Sequence, residues 1–302
     1  MTFHDPRHEA IGGLLVGLAS LLFGTVVIFG KLTLREGITV SSLLAIRFAI
    51  GAVLIAAVLA VTRRPLLAAR GERSGLSVLA VCGYAVEASF FFAALEHGTA
   101  AAVTLLFFTY PVFVTLGAWV LGRGAPARLT VVALASAVGG AFLVVATGGG
   151  LAIEGIGVAL ALGAALTYTG YLIGADALLK ATNPMTSAMW VSGGASAGLF
   201  VSAFATGQWV APNGWDGWWP ILGMGLASAG AFVALLAGLQ RLGAVRTSIV
   251  AATEPLAAAV LGFVFLDESV TVGLVLGGAF ILAGAVIASI ARAASEREQQ
   301  IP

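Results

Sequence analysis

Residues 245–291 read VRTSIVAATEPLAAAVLGFVFLDESVTVGLVLGGAFILAGAVIASIA: two apolar runs, 245–266 and 271–291, joined by the four residues DESV. Each run has the roughly 20 predominantly apolar residues that an α-helix needs to cross the hydrocarbon core of a bilayer. Of the 302 residues in the chain, 60% are hydrophobic and only 10% are charged. A typical soluble domain has about 25% charged residues. The sequence therefore predicts an all-α integral membrane protein.

The same pattern recurs along the rest of the chain. The links are short, which predicts one membrane domain without a large extramembrane part. The first run follows HDPRHE, which carries no net positive charge, and it is long for a signal peptide, so we interpret it as a retained helix. Ten windows satisfy the length criterion: 11–30, 40–61, 75–95, 99–121, 128–147, 155–175, 185–206, 218–239, 245–266 and 271–291.

Basic residues predict the orientation of these helices, because lysine and arginine concentrate in cytoplasmic links. If the chain has ten helices, twelve basic residues fall on the same side as both chain ends, and only Lys31 and Arg35 fall on the other side. Both termini are therefore predicted to be cytoplasmic, in a bacterial inner membrane. The twelve are Arg7, Arg63, Arg64, Arg70, Arg73, Arg123, Arg128, Lys180, Arg241, Arg246, Arg292 and Arg297.

A shift of 144 residues aligns the two halves of the chain without gaps. The most specific match places Thr109-Tyr110-Pro111 on Thr253-Glu254-Pro255. The predicted repeats are residues 11–147 and 155–293, with five helices each, and an odd number makes the second repeat inverted in the membrane. Inverted repeats are typical of alternating-access transporters, whose binding site lies near the midplane between the halves. This predicts a central cavity.

Three charged residues lie within predicted spans, where charges usually face a bundle interior. Glu87 lies about 18 Å along its helix, near the midplane, and is a candidate site for a substrate amine or a proton. An ion pair with Arg47 is the structural alternative. Arg47 itself is compatible with binding a substrate carboxylate or with extending to the outer interface.

Glu254 precedes a proline, which leaves a backbone carbonyl one turn earlier without its donor. We favour a structural role in which the protonated carboxyl group satisfies that carbonyl, with substrate binding or coupling as the alternative. Pro111 and Pro255 predict paired kinks or hinges in two helices. The charged residues at the outer helix ends are interpreted as interface residues: Lys31, Asp267 and Glu268.

Aromatic residues accompany the candidate acid. Tyr84 and Phe91 share a helical face with Glu87, and we expect that face to line the cavity because an acid should not face lipid. Rings and a carboxylate suit an amino acid with a large apolar side chain. The other candidate wall residues are Tyr110, Tyr168, Tyr171 and Trp190.

The sequence resembles the ten-helix EamA-type exporters of the drug/metabolite transporter superfamily over residues 11–293, and among them most resembles the bacterial aromatic amino acid exporters. This resemblance implies helices arranged around a central cavity, and it implies export. The first half departs from the family pattern, because Arg123-Gly124 stands where many members have an acid. The matching residues are Gly24, Thr25, Lys31, Ser41, Ser42, Arg47, Thr253-Glu254-Pro255, Gly262, Leu266-Asp267-Glu268-Ser269-Val270-Thr271, Gly277, Gly278 and Gly284.

Taken together, the sequence predicts a secondary transporter that exports amino acids, aromatic and other apolar ones, or related metabolites by alternating access. Cationic drug efflux is the alternative within transport, and a non-transporting scaffold is the alternative outside it. Protons are a possible coupling ion, and one chain is expected to function as a monomer. A net charge of +1, a single cysteine and the absence of enzyme motifs predict no nucleic-acid partner, no metal, no cofactor and no catalytic residues.

Overall fold

The computed structural model describes residues 6–121, 128–147, 153–178, 181–251 and 253–298, and in them the chain is helical, with one isolated bridge between Gly98 and Ile153. Arg123 and Lys180, two residues used for the predicted orientation, lie outside this part. A π-helical segment, Leu79–Ala85, joins α3 to α4. The helices are α1 Pro6–Arg35, α2 Val40–Val61, α3 Arg73–Val78, α4 Val86–Glu96, α5 Ala100–Phe107, α6 Tyr110–Val120, α7 Arg128–Thr147, α8 Gly155–Leu178, α9 Pro184–Ala205, α10 Gly214–Ala251, α11 Glu254–Leu266 and α12 Val272–Glu298.

Six helical stretches are long and apolar enough to cross a membrane, three in each half of the chain. Four shorter apolar helices accompany them, two in each half, and every predicted window contains a helix. Many large apolar side chains are exposed, as expected for contact with lipid; Phe142, for example, is 70% exposed. The six stretches are Ala10–Arg35, Val40–Val61, Arg73–Glu96, Gly155–Ala175, Met185–Ala205 and Gly214–Leu235.

At each Thr-x-Pro sequence one helix ends and the next begins. The first lies between α5 and α6 and the second between α10 and α11, with the proline in the first turn of the new helix. Thr109 has φ −74° and ψ −13°, and Thr253 has φ −79° and ψ −12°. Each threonine hydroxyl donates to a carbonyl three residues earlier, Thr109 to Leu106 at 2.8 Å and Thr253 to Val250 at 2.7 Å. The two halves therefore end one helix and begin the next in the same way.

The helix assigned as α10 includes the residues of the predicted link between windows 218–239 and 245–266 and ends at Ala251. The contacts with α1 nevertheless change direction there. Gly223 lies against Phe29 and Gly238 against Val16, whereas Ala257 lies against Gly24, nearer the middle of α1. The chain therefore turns back between Gly238 and Ala257.

Helices α7 and α12 make two similar contacts with each other, and the 144-residue shift relates the residues of one contact to those of the other. A methyl group at Gly140 would lie 2.5 Å from the carbonyl oxygen of Gly277, and one at Gly284 would lie 2.6 Å from that of Ala133. The shift converts Gly140 into Gly284 and Ala133 into Gly277. Both close approaches need a residue without a side chain, so they account for the two glycines.

Candidate functional site

A cavity of about 200 Å³ lies among the helices. It is lined by α1, α2, α4, α5, α6, α8, α10 and α11, with the π-helical segment and the α5–α6 break. Its size suits a small molecule rather than a segment of polypeptide. The wall residues are Ala19, Ser20, Phe23, Val26, Val27, Arg47, Tyr84, Glu87, Ala88, Phe91, Phe92, Phe107, Phe108, Tyr110, Tyr168, Tyr171, Phe232, Leu235 and Glu254.

Eight of the nine residues singled out from the sequence lie on this wall; the exception is Trp190. Its indole nitrogen donates to the carbonyl of Leu66 at 2.9 Å, and the ring packs against a small cluster that includes Leu76 and Val191. An indole N–H needs a hydrogen-bond acceptor when it leaves water, and Trp190 finds one in the link after α2. The eight are Arg47, Tyr84, Glu87, Phe91, Tyr110, Tyr168, Tyr171 and Glu254.

Arg47 is 5% exposed, so it does not extend to the outer interface. Its Nε donates to the hydroxyl of Ser228 at 3.0 Å, and that hydroxyl donates to the carbonyl of Met224 at 2.8 Å. The guanidinium carbon lies 4.8 Å from the ring centroid of Phe48 and 5.5 Å from that of Phe92. These contacts fix the guanidinium at the wall and leave its terminal nitrogens without a described protein acceptor.

The carboxyl groups of Glu87 and Glu254 both reach the cavity, and both are within electrostatic range of Arg47. Among the described residues neither forms an ion pair with it, and neither has a hydrogen-bond partner. The structural role favoured for Glu254 is not observed among the described residues, since no hydrogen bond joins its carboxyl group to a backbone carbonyl; the hydroxyl of Thr253 donates to the carbonyl of Val250. The two carboxyl groups are thus available to a ligand.

All four tyrosines of the chain line the cavity. Their rings form a continuous series: Tyr84 and Tyr171 have centroids 5.4 Å apart, Tyr171 and Tyr168 5.8 Å, and Tyr168 and Tyr110 4.9 Å. Aromatic pairs at these separations stabilise one another. The cavity therefore has one preorganised aromatic wall that carries hydroxyl groups.

Equivalent positions of the two halves meet at this cavity. Four pairs of wall residues are separated by 144 positions, as expected when repeats enclose a site between them. The side chains within a pair differ, so the chemistry is asymmetric. The pairs are Val27 with Tyr171, Ala88 with Phe232, Phe91 with Leu235, and Tyr110 with Glu254.

Sequence reasoning missed several polar or aromatic residues at the site. Ser228 anchors Arg47, while Ser20, Phe23 and Phe232 line the wall. The 144-residue shift offered a signal for one of them, because it places Tyr84 on Ser228. Among the described residues no cluster of three histidine, cysteine, aspartate or glutamate side chains could hold a metal ion.

Two residues interpreted as interface residues have a more specific environment. Lys31 Nζ lies 2.7 Å from Glu268 Oε1, and the two side chains are only 16% and 9% exposed. The backbone N–H of Ala100 donates to the same carboxylate, at 2.8 and 3.0 Å from its two oxygens. A sequence gives the helix ends but not their distances in space, so this contact could not be derived from it.

The helices and their apolar exposed surface define a multi-pass membrane protein, and the cavity between its helices has the size of a small molecule. The chain belongs to the EamA-like transporter family, whose family model matches residues 10–146 and again residues 155–290. This family is part of the drug/metabolite transporter superfamily.

A relative and a solved structure agree with this assignment. The chain is 30% identical over 179 residues to an uncharacterized transporter of Synechocystis sp., an alignment that covers 57% of this chain and 53% of the relative. The chain thus spans about half of that relative's length. A crystal structure with 20% identity matches 94% of this chain and 98% of its own, with a TM-score of 0.67, which shows a common fold.

Proposed function

We propose that this transporter exports amino acids with aromatic or other apolar side chains across a bacterial inner membrane by alternating access. One observation carries the proposal. One small cavity presents Arg47, an aromatic wall and two carboxyl groups that have no partner among the described residues. A free amino acid is small and carries one negative group, one positive group and a side chain, so it matches all three.

Arg47 is the proposed anchor for the substrate carboxylate. Its Nε is occupied by Ser228, and its terminal nitrogens remain for a two-point contact, the geometry that a guanidinium offers to a carboxylate. Phe48 and Phe92 hold the guanidinium in place before a substrate arrives. Little side-chain freedom is then lost on binding, which favours affinity.

Glu87 and Glu254 are the proposed partners of the substrate ammonium group. An ammonium in a dry cavity needs a negative partner, and the tyrosine rings add attraction through their π-faces. One ammonium can neutralise only one carboxylate. The other acid is a candidate carrier of a proton, which would couple transport to the proton gradient.

The geometry supports amino acids over cationic drugs. A drug cation would enter a cavity that already holds the positive charge of Arg47, and it would leave that charge without a ligand. The aromatic exporters that the sequence resembles are compatible with the tyrosine wall. A bacterial inner membrane is also compatible with the Synechocystis sp. relative.

Alternating access rests on the proposed inverted repeats, residues 11–147 and 155–293, with ten spans and both termini in the cytoplasm. Support comes from the two separate matches to one family model and from the four pairs of wall residues. The hydroxyl of Ser136 donates to the carbonyl of Phe280 at 2.7 Å, and these positions also differ by 144. Contact between equivalent positions is expected at a two-fold axis. One chain then holds a complete transport pathway and can function as a monomer.

The test is counterflow of radiolabelled phenylalanine and leucine in proteoliposomes that contain the purified protein. Wild type should transport both, and Glu87→Gln and Arg47→Gln should each lose at least about tenfold, the effect of removing one charged contact. Glu154→Gln is the matched control, since this side chain is 66% exposed and lies outside the cavity. It should transport normally.

Competition then separates the two anchors. Phenethylamine lacks the carboxylate and 3-phenylpropionate lacks the ammonium, so both should compete at least about tenfold less well than phenylalanine. Cationic dyes should not compete. Transport of dyes without amino acids, or normal transport by both cavity variants, would contradict the proposal.

A further inference from the structure

Glu268 joins three parts of the chain at the predicted outer end of the bundle. It follows α11, pairs with Lys31 near the end of α1 and accepts the N–H of Ala100 at the start of α5. Both carboxylate oxygens are used. Charge-assisted contacts of this kind are stronger than neutral hydrogen bonds, and they are screened less when partly buried. We name Lys31, Ala100 and Glu268 the outer latch.

Each segment joined by the outer latch also reaches the cavity. Val27 on α1 lies about one turn from Lys31, Phe107 ends α5, and Glu254 begins α11 about 18 Å from its outer end. The latch therefore fixes the outer ends of three helices that form the cavity wall. Opening the cavity to the outside requires these ends to separate.

The local backbone is shaped to present Glu268. Asp267 caps α11 in the left-handed conformation, with φ +56°, and the N–H of Glu268 donates back to the carbonyl of Gly262 at 3.2 Å. A methyl group at Gly262 would lie 2.5 Å from Glu268 Oε2. A glycine is needed here so that the carboxylate can lie against α11 and face Lys31 and Ala100.

The positions of the Lys31–Glu268 pair are charged in only one half of the sequence. The 144-residue shift places Lys31 on Ala175 and Glu268 on Gly124, neither of which is charged. An ion pair between these two equivalent positions therefore cannot form. In an inverted-repeat transporter the two end states exchange the conformations of the two halves. A contact whose residues are charged in only one half stabilises one of those states.

We propose that the outer latch sets the resting state of the transporter, in which the outer mouth is closed and the cavity faces the cytoplasm. Such a bias suits export, because the empty carrier then waits on the side from which substrate is taken. The inference rests on the proposed orientation and on alternating access, but not on the identity of the substrate. It also assigns a role to Lys31 and Glu268 that is separate from binding.

The experiment measures access to the cavity from each side with a charged, membrane-impermeant methanethiosulfonate reagent. Cys82 is the only cysteine and is exposed, so Cys82→Ser gives a clean background. Ser20→Cys then places one thiol in the cavity wall, about 22 Å from the outer end of α1. Labelling is followed in intact cells for the outside and in inverted vesicles for the inside.

In the parent, labelling should be slow from outside and fast from inside. Lys31→Met and Glu268→Gln should each raise the outside rate about tenfold, the change expected for loss of one charge-assisted contact, and lower the inside rate. The opposite changes on the two sides identify a shift between two states. If one of the two variants does not fold, the other still tests the proposal.

Glu154→Gln is the matched control, because the His97–Glu154 pair also lies at the predicted outer end, at 2.9 Å, but is largely exposed. It should leave both rates unchanged. Rates that rise on both sides would indicate general loosening and would overturn the proposal. So would fast outside labelling of the parent, or parental rates in both latch variants. No labelling result depends on amino acid transport, so the two proposals fail separately.

Discussion

The two helix breaks have almost the same backbone and different chemistry. Thr109 and Thr253 differ by only a few degrees in φ and ψ, and each hydroxyl caps the carbonyl three residues before it. The residue between threonine and proline is Tyr110 in the first half and Glu254 in the second. Both line the cavity.

This comparison separates the residues that form the helix break from the residue that lines the cavity. The break itself needs only the threonine, which satisfies a carbonyl, and the proline, which favours the first turn of a helix. The residue between the threonine and the proline does not take part in forming the break in either half. It is therefore a position where one half can carry a charge and the other an aromatic ring without any change of backbone.

The largest expected effect comes from exchanging the chemistry at the middle position. Glu254→Gln should reduce amino acid counterflow by at least about tenfold, because it removes the charge of one of the two acids proposed to meet the substrate ammonium. Tyr110→Phe keeps the ring and should cost less than about threefold. The measurement is initial rate against substrate concentration in proteoliposomes.

Equal losses for the two substitutions would show that the middle positions do not have different roles. Thermal unfolding in detergent serves as the control, and both variants should unfold at nearly the wild-type temperature. That expectation follows because neither side chain has a described hydrogen-bond partner at the break.

An intermediate effect is expected where the two halves should behave alike, in the α7–α12 contact. Gly140→Ala and Gly284→Ala should each destabilise the protein by about 2 kcal/mol, since each methyl group would lie far inside contact distance of a carbonyl oxygen. Gly139→Ala is the matched control, because a methyl group there meets nothing within 4 Å. Apparent Tm in detergent measures all three.

Similar losses of stability for Gly140→Ala and Gly284→Ala would support a two-fold relation between α7 and α12, provided that Gly139→Ala is as stable as wild type or slightly more stable. A loss at only one of the two glycines would show that the contact is not reciprocal in energy. The adjacent control glycine distinguishes crowding from a general intolerance of substitution in this helix.

The smallest effect is expected at the threonine caps. Thr109→Val and Thr253→Val should each lower stability by about 1 kcal/mol, because each removes one hydrogen bond while keeping a β-branched side chain. The loss should be larger at Thr109, whose hydroxyl is buried, than at Thr253, which is exposed. A loss confined to Thr253 would mean that another group replaces Thr109 at the first break, contrary to the near-identical geometry.

Sequence reasoning reached most of the helices because bilayer thickness sets span length directly. Helix ends were predicted less well, since the helix of window 218–239 is assigned as far as Ala251. Periodicity and composition report where a helix is favourable, and they report its ends poorly.

For the cavity, the cost of charges in lipid was a good guide to Arg47, Glu87 and Glu254, which the structure places on one wall. Trp190 was selected only as an aromatic residue in a span, a weaker criterion, and it lies elsewhere. The outer latch was missed because Lys31 and Glu268 are 237 positions apart and each lies at a helix end. Only the folded arrangement shows that they meet.

The tyrosine wall makes the cavity observable without engineering the site. The chain has four tyrosines, all on that wall, whereas none of its six tryptophans is there. Biosynthetic incorporation of fluorinated tyrosine would place every fluorine nucleus in the cavity wall and none in the rest of the protein. A titration followed by fluorine NMR would then consist entirely of resonances from the cavity, so occupancy and ring motion could be read in the native sequence.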